Sequence, residues 1–512
     1  MLKPTSTQIE QVTVVGAGFA GLSAACHLAK AGYQVRLLEK NDQLGGRARR
    51  FEAEGFTFDM GPSWYWMPEV FEEFFNEFGR TASDFYELKR LDPSYEIFFG
   101  DEDRIDVPAG RTALFELFER LEPGSSKNLE KFLSEAEYKY KVGMSEFVQK
   151  PGHSIMDFAD LRVVRSAFKL QMLTDMASYL RKLFKHPQLI QLLEFPVLFL
   201  GATPANTPAL YSLMNYADLE LGTWYPMGGM HGIIEGMVSI AREQGVELIP
   251  GSAVREVVTE RGSVREVITE NGLRYPTDIL VAGADYHHFE QEVLSPKDRV
   301  YNEAYWQKRT MAPSSLLFYV GLDRKVPGLH HHTLFFDADF NRHANEIYED
   351  PAWPEDPLFY VCAPSVTDPS VAPEGKENLF FLLPLAWELN DTDEKREAYW
   401  NLMCERLSVR IGFDIRPHVI YRRSYAHRDF KSDYNAFRGN AYGLANTLMQ
   451  TAFLKPKLRS KKLDNLWYAG QLTTPGPGMP PSIISGEVAA RDIVKVFGKP
   501  TITSTPSVQL TS

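Results

Sequence analysis

Residues 11–40, QVTVVGAGFAGLSAACHLAKAGYQVRLLEK, carry the pattern that decides the fold. The apolar run Val12 to Val15 predicts a buried strand, and a second apolar run predicts another strand from Val35 to Leu38. Between them lie a glycine turn and a stretch with helical periodicity. Strand, turn, helix and strand within roughly 30 residues are typical of a βαβ unit.

The glycine turn has the spacing of a dinucleotide-binding fingerprint, because Gly16, Gly18 and Gly21 form a G-x-G-x-x-G pattern. Gly16 permits the tight turn, Gly18 leaves room for a pyrophosphate, and Gly21 lets the helix pack closely on the strand. The helix N-terminus then faces the phosphates. Glu39 ends the second strand, where its carboxylate can accept hydrogen bonds from the ribose hydroxyls of an adenosine.

Two further blocks carry a family resemblance. The first, Gly45-Gly46-Arg47, resembles the GG-R extension of the large flavoprotein family that includes amine oxidases, protoporphyrinogen oxidases and carotenoid desaturases. The second, which includes Gly61-Pro62-Ser63, resembles that family's segment beside the isoalloxazine ring. The resemblance implies that FAD is the cofactor and that both blocks contact it.

The C-terminal loop narrows this resemblance. Residues 468–482, YAGQLTTPGPGMPPS, look like the G-x-x-T-x-P-G-x-G-x-P motif that closes the bacterial carotenoid desaturases. The resemblance adds Gly470 and Met479 to the expected FAD contacts. We find no second G-x-G-x-x-G after a strand in the sequence, so a separate NAD(P) domain is not expected and the electrons must leave to another acceptor, a quinone or oxygen.

The expected fold class is α/β, with a discontinuous Rossmann-like FAD-binding domain of the glutathione-reductase type and an inserted α+β substrate domain. The FAD domain is predicted from residues 1–105, 224–300 and 461–500, and the substrate domain from 106–223 and 301–460. Alternating residues between 246 and 276 predict a strand meander before a buried strand, Ile279 to Ala282. Residues 501–512 are predicted to be a flexible tail.

The resemblance implies FAD-dependent desaturation of a long isoprenoid, phytoene or a related carotenoid precursor. A hydride would pass from an allylic carbon to flavin N5, and a proton would then leave the adjacent carbon. Relatives of the same fold leave other activities open: a hydroxycarotenoid 3,4-desaturase, a diapocarotenoid desaturase or a carotene isomerase. More remote are an amine or protoporphyrinogen oxidase and a non-catalytic flavin-binding protein.

The catalytic residues are not evident from the sequence. Asp59, Arg422, Arg423 and Arg438 are the polar residues to consider as proton acceptors or flavin neighbours. No metal site is expected, because the adjacent side chains of His330-His331-His332 seldom converge on one ion and the tract is predicted to be a surface loop.

Composition restricts the partners and the compartment. The net charge of -12 argues against nucleic acid, and three widely separated cysteines fit a reducing cytoplasm. Residues 161–186 hold six basic residues and one acid, with apolar residues at helical spacing. We therefore hypothesise peripheral attachment to an anionic, cytoplasmic membrane surface, with a core-packed helix that has a solvated basic face as the alternative.

Overall fold

A computed structural model describes residues 11–100, 103–152, 171, 174–198, 203–447, 450–451 and 454–499. The predicted tail, 501–512, and much of the basic stretch, 161–186, lie outside the described residues. Among the helices that the structure describes, none is long and apolar enough to cross a bilayer.

The predicted βαβ unit forms the centre of a five-stranded parallel sheet. The strand Gln11–Val15 pairs with Gln34–Leu38 on one side and with Ile279–Ala282 on the other. The two edge strands are Glu247–Ile249 and Leu466–Tyr468. Three separate stretches of chain therefore build this sheet, and most of its residues are buried because helices pack against it.

A three-stranded antiparallel meander precedes the strand Ile279–Ala282, as predicted. Its strands are Val254–Glu260, Ser263–Thr269 and Arg274–Pro276.

A seven-stranded, mostly antiparallel sheet forms the second lobe. In spatial order its strands are Val419–Tyr425, Ser314–Leu322, Glu377–Leu385, Phe359–Cys362, His332–Phe335, Tyr95–Phe99 and Asp103–Val107. Tyr95–Phe99 lies in the predicted first FAD segment, 1–105, and Asp103–Val107 crosses the end of that segment. Tyr95–Phe99 pairs in parallel with His332–Phe335, so backbone pairing places both strands in the sheet of the second lobe. The domain boundaries remain a prediction.

Two further sheets have two antiparallel strands each. They pair Arg50–Ala53 with Phe56–Asp59, and Leu88–Arg90 with Trp224–Pro226. The described helices are Phe19–Lys30, Pro68–Glu77, Arg111–Leu121, Ser126–Val142, Met176–Leu183, Pro187–Leu198, Leu213–Tyr216, His231–Glu243, Tyr286–His288, Glu303–Gln307, Phe340–Tyr348, Asp393–Ile411, His427–Tyr434 and Met479–Phe497.

Candidate active site

A cavity of about 830 Å3 runs from the glycine turn of the parallel sheet into the second lobe. At the turn, its wall includes Gly16, Gly18 and Glu39. At the far end its wall is mainly apolar and aromatic, with Met144, Phe147, Phe195, Leu213, Leu334, Phe336, Phe340, Leu358, Tyr360 and Leu382 among the lining residues. One continuous space therefore joins a nucleotide-binding turn to an apolar chamber.

Backbone contacts shape the nucleotide end of the cavity. The Gly16 N–H donates to the Leu38 carbonyl at 2.7 Å, which closes the turn over the second strand. The Gly45 N–H donates to the Ala17 carbonyl at 2.8 Å and so brings the second glycine block against the first. The helix Phe19–Lys30 begins here without a side-chain cap, so its first N–H groups remain available to an anion.

Glu39 is buried, and its carboxylate organises the turn. Its Oε2 accepts the Ala17 N–H at 2.7 Å, and its Oε1 accepts the backbone and side-chain N–H groups of Asn41, both at 2.9 Å. A carboxylate offers about four acceptor positions, so Oε2 keeps one for a ribose hydroxyl. This arrangement fits the predicted role.

Arg47 supplies an unpaired positive charge at the same end. Its guanidinium lies 5.0 Å from the centre of the Tyr434 ring, and its Nε has no hydrogen-bond partner in the described part of the chain. Burial lowers the pKa of this guanidinium. Its Nη2 donates to the Asn440 carbonyl at 3.4 Å, but none of the described carboxylates forms an ion pair with it. This partly buried cation therefore fits the pyrophosphate of FAD, which would supply the missing charge.

The twelve predicted cofactor residues fall into two groups. Eleven line the cavity: Gly16, Gly18, Glu39, Gly45, Gly46, Arg47, Gly61, Pro62, Ser63, Gly470 and Met479. Gly21 is not among the lining residues, and it lies behind the turn, where a Cβ atom would come within 1.8 Å of the Gly16 carbonyl oxygen. This position matches its predicted packing role, while direct contacts with FAD remain a prediction for the others.

The four candidate catalytic residues are not among those that line the cavity. Asp59 accepts the N–H groups of Met230 at 2.7 Å and His231 at 3.0 Å, at the start of the helix His231–Glu243. Burial raises the pKa of Asp59 to about 6. These contacts give Asp59 a helix-capping position, and its part in proton transfer stays a prediction.

The three candidate arginines contact protein groups. Arg422 is exposed and pairs with Glu397 at 2.7 Å. Arg423 lies over the Phe51 ring at 4.8 Å. Arg438 pairs with Glu388 at 3.3 Å and also donates to Gln307. In the structure these arginines have partners away from the cavity wall.

The surface-loop prediction for the triple-histidine tract is wrong for His331 and His332, which are buried. His332 Nδ1 lies 2.7 Å from the Tyr360 hydroxyl, and its ring stacks on Trp64 at 4.2 Å. Because Trp64 lines the cavity, His332 supports the wall from behind. The absence of a metal stays a prediction, although His331, His332 and Cys362 place ligand-type atoms within 4.8 Å of one another.

The sequence patterns do not indicate Lys455 and Asn446, which lie against Gly476 in the C-terminal loop. Asn446 lines the cavity, and Lys455 is 2% exposed. In the sequence, Lys455 precedes four further basic residues within eight positions, which is typical of a solvated surface: Lys457, Arg459, Lys461 and Lys462. The burial of Lys455 becomes evident only in the structure, where its amine lies against Gly476.

A phosphate-binding turn, a buried cation and an apolar chamber on this fold define an FAD-dependent oxidoreductase. The chain matches the family described as flavin containing amine oxidoreductase over residues 19–494. It is 44% identical to a carotenoid 3,4-desaturase of Haloarcula japonica, over 95% of this chain and 98% of that protein. It is 32% identical to a zeta-carotene-forming phytoene desaturase of Myxococcus xanthus, over 96% of this chain and 95% of that protein.

Solved structures agree with the fold. A putative protoporphyrinogen oxidase from Exiguobacterium sp. 255-15 superposes with a TM-score of 0.61 at 13% identity, covering 96% of this chain and 99% of that one. The chain belongs to the flavin-containing amine oxidoreductase family and, within it, to the carotenoid desaturases. FAD is its cofactor.

Proposed function

We propose that the protein desaturates a long carotenoid chain. The observation that carries this proposal is the continuity of the cavity, which joins the FAD-binding turn to an apolar chamber. When bound, FAD supplies the hydride acceptor. The aromatic walls of the chamber exclude water and hold the polyene so that its reacting C–H bonds align with the cofactor.

The names of the two relatives support two different candidate substrates. Phytoene is the main expectation from the sequence, and a 32% identical relative is named for its desaturation. The relative at 44% identity is named a carotenoid 3,4-desaturase, which supports an already conjugated carotenoid as the second candidate.

Expression in two bacterial backgrounds separates the substrates. In cells that accumulate phytoene, we expect coloured polyenes; in cells that accumulate lycopene, 3,4-desaturation would shift absorption to longer wavelength by extending conjugation. Product analysis by mass and absorption spectrum measures both outcomes. Intact holoenzyme that leaves both carotenoids unchanged would contradict carotenoid desaturation.

We further propose that the protein works at the cytoplasmic membrane surface, where its substrate dissolves, and that a quinone or oxygen takes the electrons from the reduced flavin. The described residues give one observation against membrane attachment and one in its favour. In the basic stretch, Met176, Leu180 and Phe184 are buried, so these described members of its apolar stripe pack into the protein. Lys182 and Lys185 are exposed and remain able to meet anionic lipid.

Flotation with liposomes tests the attachment. We expect the protein to float with vesicles rich in phosphatidylglycerol at low salt, and to float less at high salt because the attraction between charges is screened. Neutral phosphatidylcholine vesicles are the control. If the protein stays in the bottom fraction with anionic vesicles at low salt, the attachment proposal fails.

A further inference from the structure

Lys455 is a buried lysine without a hydrogen-bond partner in the described part of the chain. The side-chain oxygen of Asn446, which is 6% exposed, also has none there. An unpaired ammonium is costly to bury, so such a group is either neutral or completed by a ligand. Burial lowers the pKa of Lys455 to about 7.

Lys455 and Asn446 converge on Gly476, which lines the cavity. A Cβ atom on Gly476 would lie 2.9 Å from Lys455 Nζ and 3.1 Å from Asn446 Oδ1. Gly476 has φ +143°, a conformation that other residues rarely adopt. Lys455 itself does not line the cavity, so its amine lies behind the backbone of Gly476. From there it is placed to exchange a proton with the cavity through one water beside Asn446.

Three titratable groups that line the cavity are already engaged. Both ring nitrogens of His343 have partners, the Pro384 carbonyl at 3.0 Å and the Leu358 N–H at 3.0 Å. Asp433 pairs with Arg49 at 2.6 Å. Asp285 accepts the backbone N–H groups of His288 and Phe437. Lys455 differs from these groups because its Nζ has no hydrogen-bond partner among the described residues.

We propose that Lys455 accepts, through one water, the proton that leaves the carotenoid during desaturation, and that Asn446 on the cavity wall orients this water. This inference rests on the proposed function. One C–H bond of the substrate gives its hydrogen and electron pair, as hydride, to FAD. The adjacent C–H bond breaks, its electron pair becomes the new double bond, and its proton passes to this water as the water gives a proton to neutral Lys455. The ammonium then releases this proton to water.

The rate of the proton-transfer step should therefore depend on pH. The acceptor must be neutral, so the rate rises as pH increases through about 7 and levels off above it. Burial alone causes the lowered pKa. Lys457 is the charged residue two positions along the chain; its Nζ donates to the Gly152 carbonyl at 3.0 Å, and it is not among the causes of the lowered pKa.

The experiment mixes holoenzyme anaerobically with phytoene in phosphatidylcholine vesicles between pH 5.5 and 9. Flavin bleaching reports the hydride transfer, and the rise of polyene absorbance reports the product, which forms only after the proton has left. If phytoene does not bleach the wild-type flavin, lycopene is used in its place. Three variants replace the amine: Lys455→Met, Lys455→Arg and Lys455→Ala. Lys457→Met is the matched control. We expect Lys455→Met and Lys455→Arg to slow polyene formation on the order of 100-fold with bound FAD unchanged, and to lose the pH step.

Added methylamine should restore part of the rate to Lys455→Ala, because a free amine can replace the missing proton acceptor. Lys457→Met should retain the wild-type rate and pH profile. Lys455→Met with a rate within threefold of wild type would overturn the proposal, and so would loss of bound FAD in this variant, which would indicate a cofactor-binding role. If neither carotenoid bleaches the wild-type flavin, the proposed function itself fails, whatever the variants show.

Discussion

Gly21→Ala is expected to yield protein that retains little or no FAD. The added Cβ would lie 1.8 Å from the Gly16 carbonyl oxygen and 3.0 Å from the Gly16 carbonyl carbon. Both atoms are backbone, so no side chain can move aside, and the helix must shift away from the turn. Overpacking costs about 3 kcal/mol at the upper end of its usual range, which corresponds to an affinity loss on the order of 100-fold.

The measurement is the ratio of flavin to protein after gel filtration, together with the melting temperature. Gly110→Ala is the matched control, because Gly110 is exposed and a Cβ there would meet nothing within 4 Å. A Gly21→Ala protein with a full complement of FAD would show that the turn does not hold the cofactor in the way described.

Glu39→Ala is expected to weaken FAD binding by a similar factor. The substitution removes the acceptor of three hydrogen bonds, one from Ala17 at 2.7 Å and two from Asn41 at 2.9 Å. A buried donor left without a partner costs about 1–3 kcal/mol, and the Ala17 N–H belongs to the turn itself. The variant therefore loses both the shape of the turn and the carboxylate that faces the ribose.

Titration of apoprotein with FAD, followed by quenching of flavin fluorescence, gives the dissociation constants. Glu39→Gln keeps one acceptor oxygen, so its affinity should fall between those of the wild type and Glu39→Ala. Glu52→Ala, at an exposed position on a neighbouring ribbon, should leave the affinity unchanged. Equal affinities for Glu39→Ala and wild type would contradict the assignment.

Local patterns in the sequence predicted the nucleotide half of the fold well. The strands on either side of Gly16 and the helix between them follow from short-range periodicity, and that helix begins at Phe19. The meander followed from alternation between glycines. These features depend on neighbours in the chain, which a sequence displays directly.

Long-range pairing explains what the sequence did not reveal. Tyr95–Phe99 reads as a plain strand, and nothing in its residues names His332–Phe335 as its partner. His332 looks polar and exposed until Trp64 stacks on it. Lys455 looks solvated until the loop at Gly476 covers it. In each case the deciding contact comes from a distant part of the chain.

The order of the strands in the parallel sheet has a consequence for biosynthesis. The glycine turn leaves the ribosome before the edge strand Leu466–Tyr468 and before Met479, which lines the same cavity. At about 5–20 residues per second, roughly 20–90 s separate the two halves of the cofactor site. The nascent chain therefore cannot close around FAD until this second half has emerged.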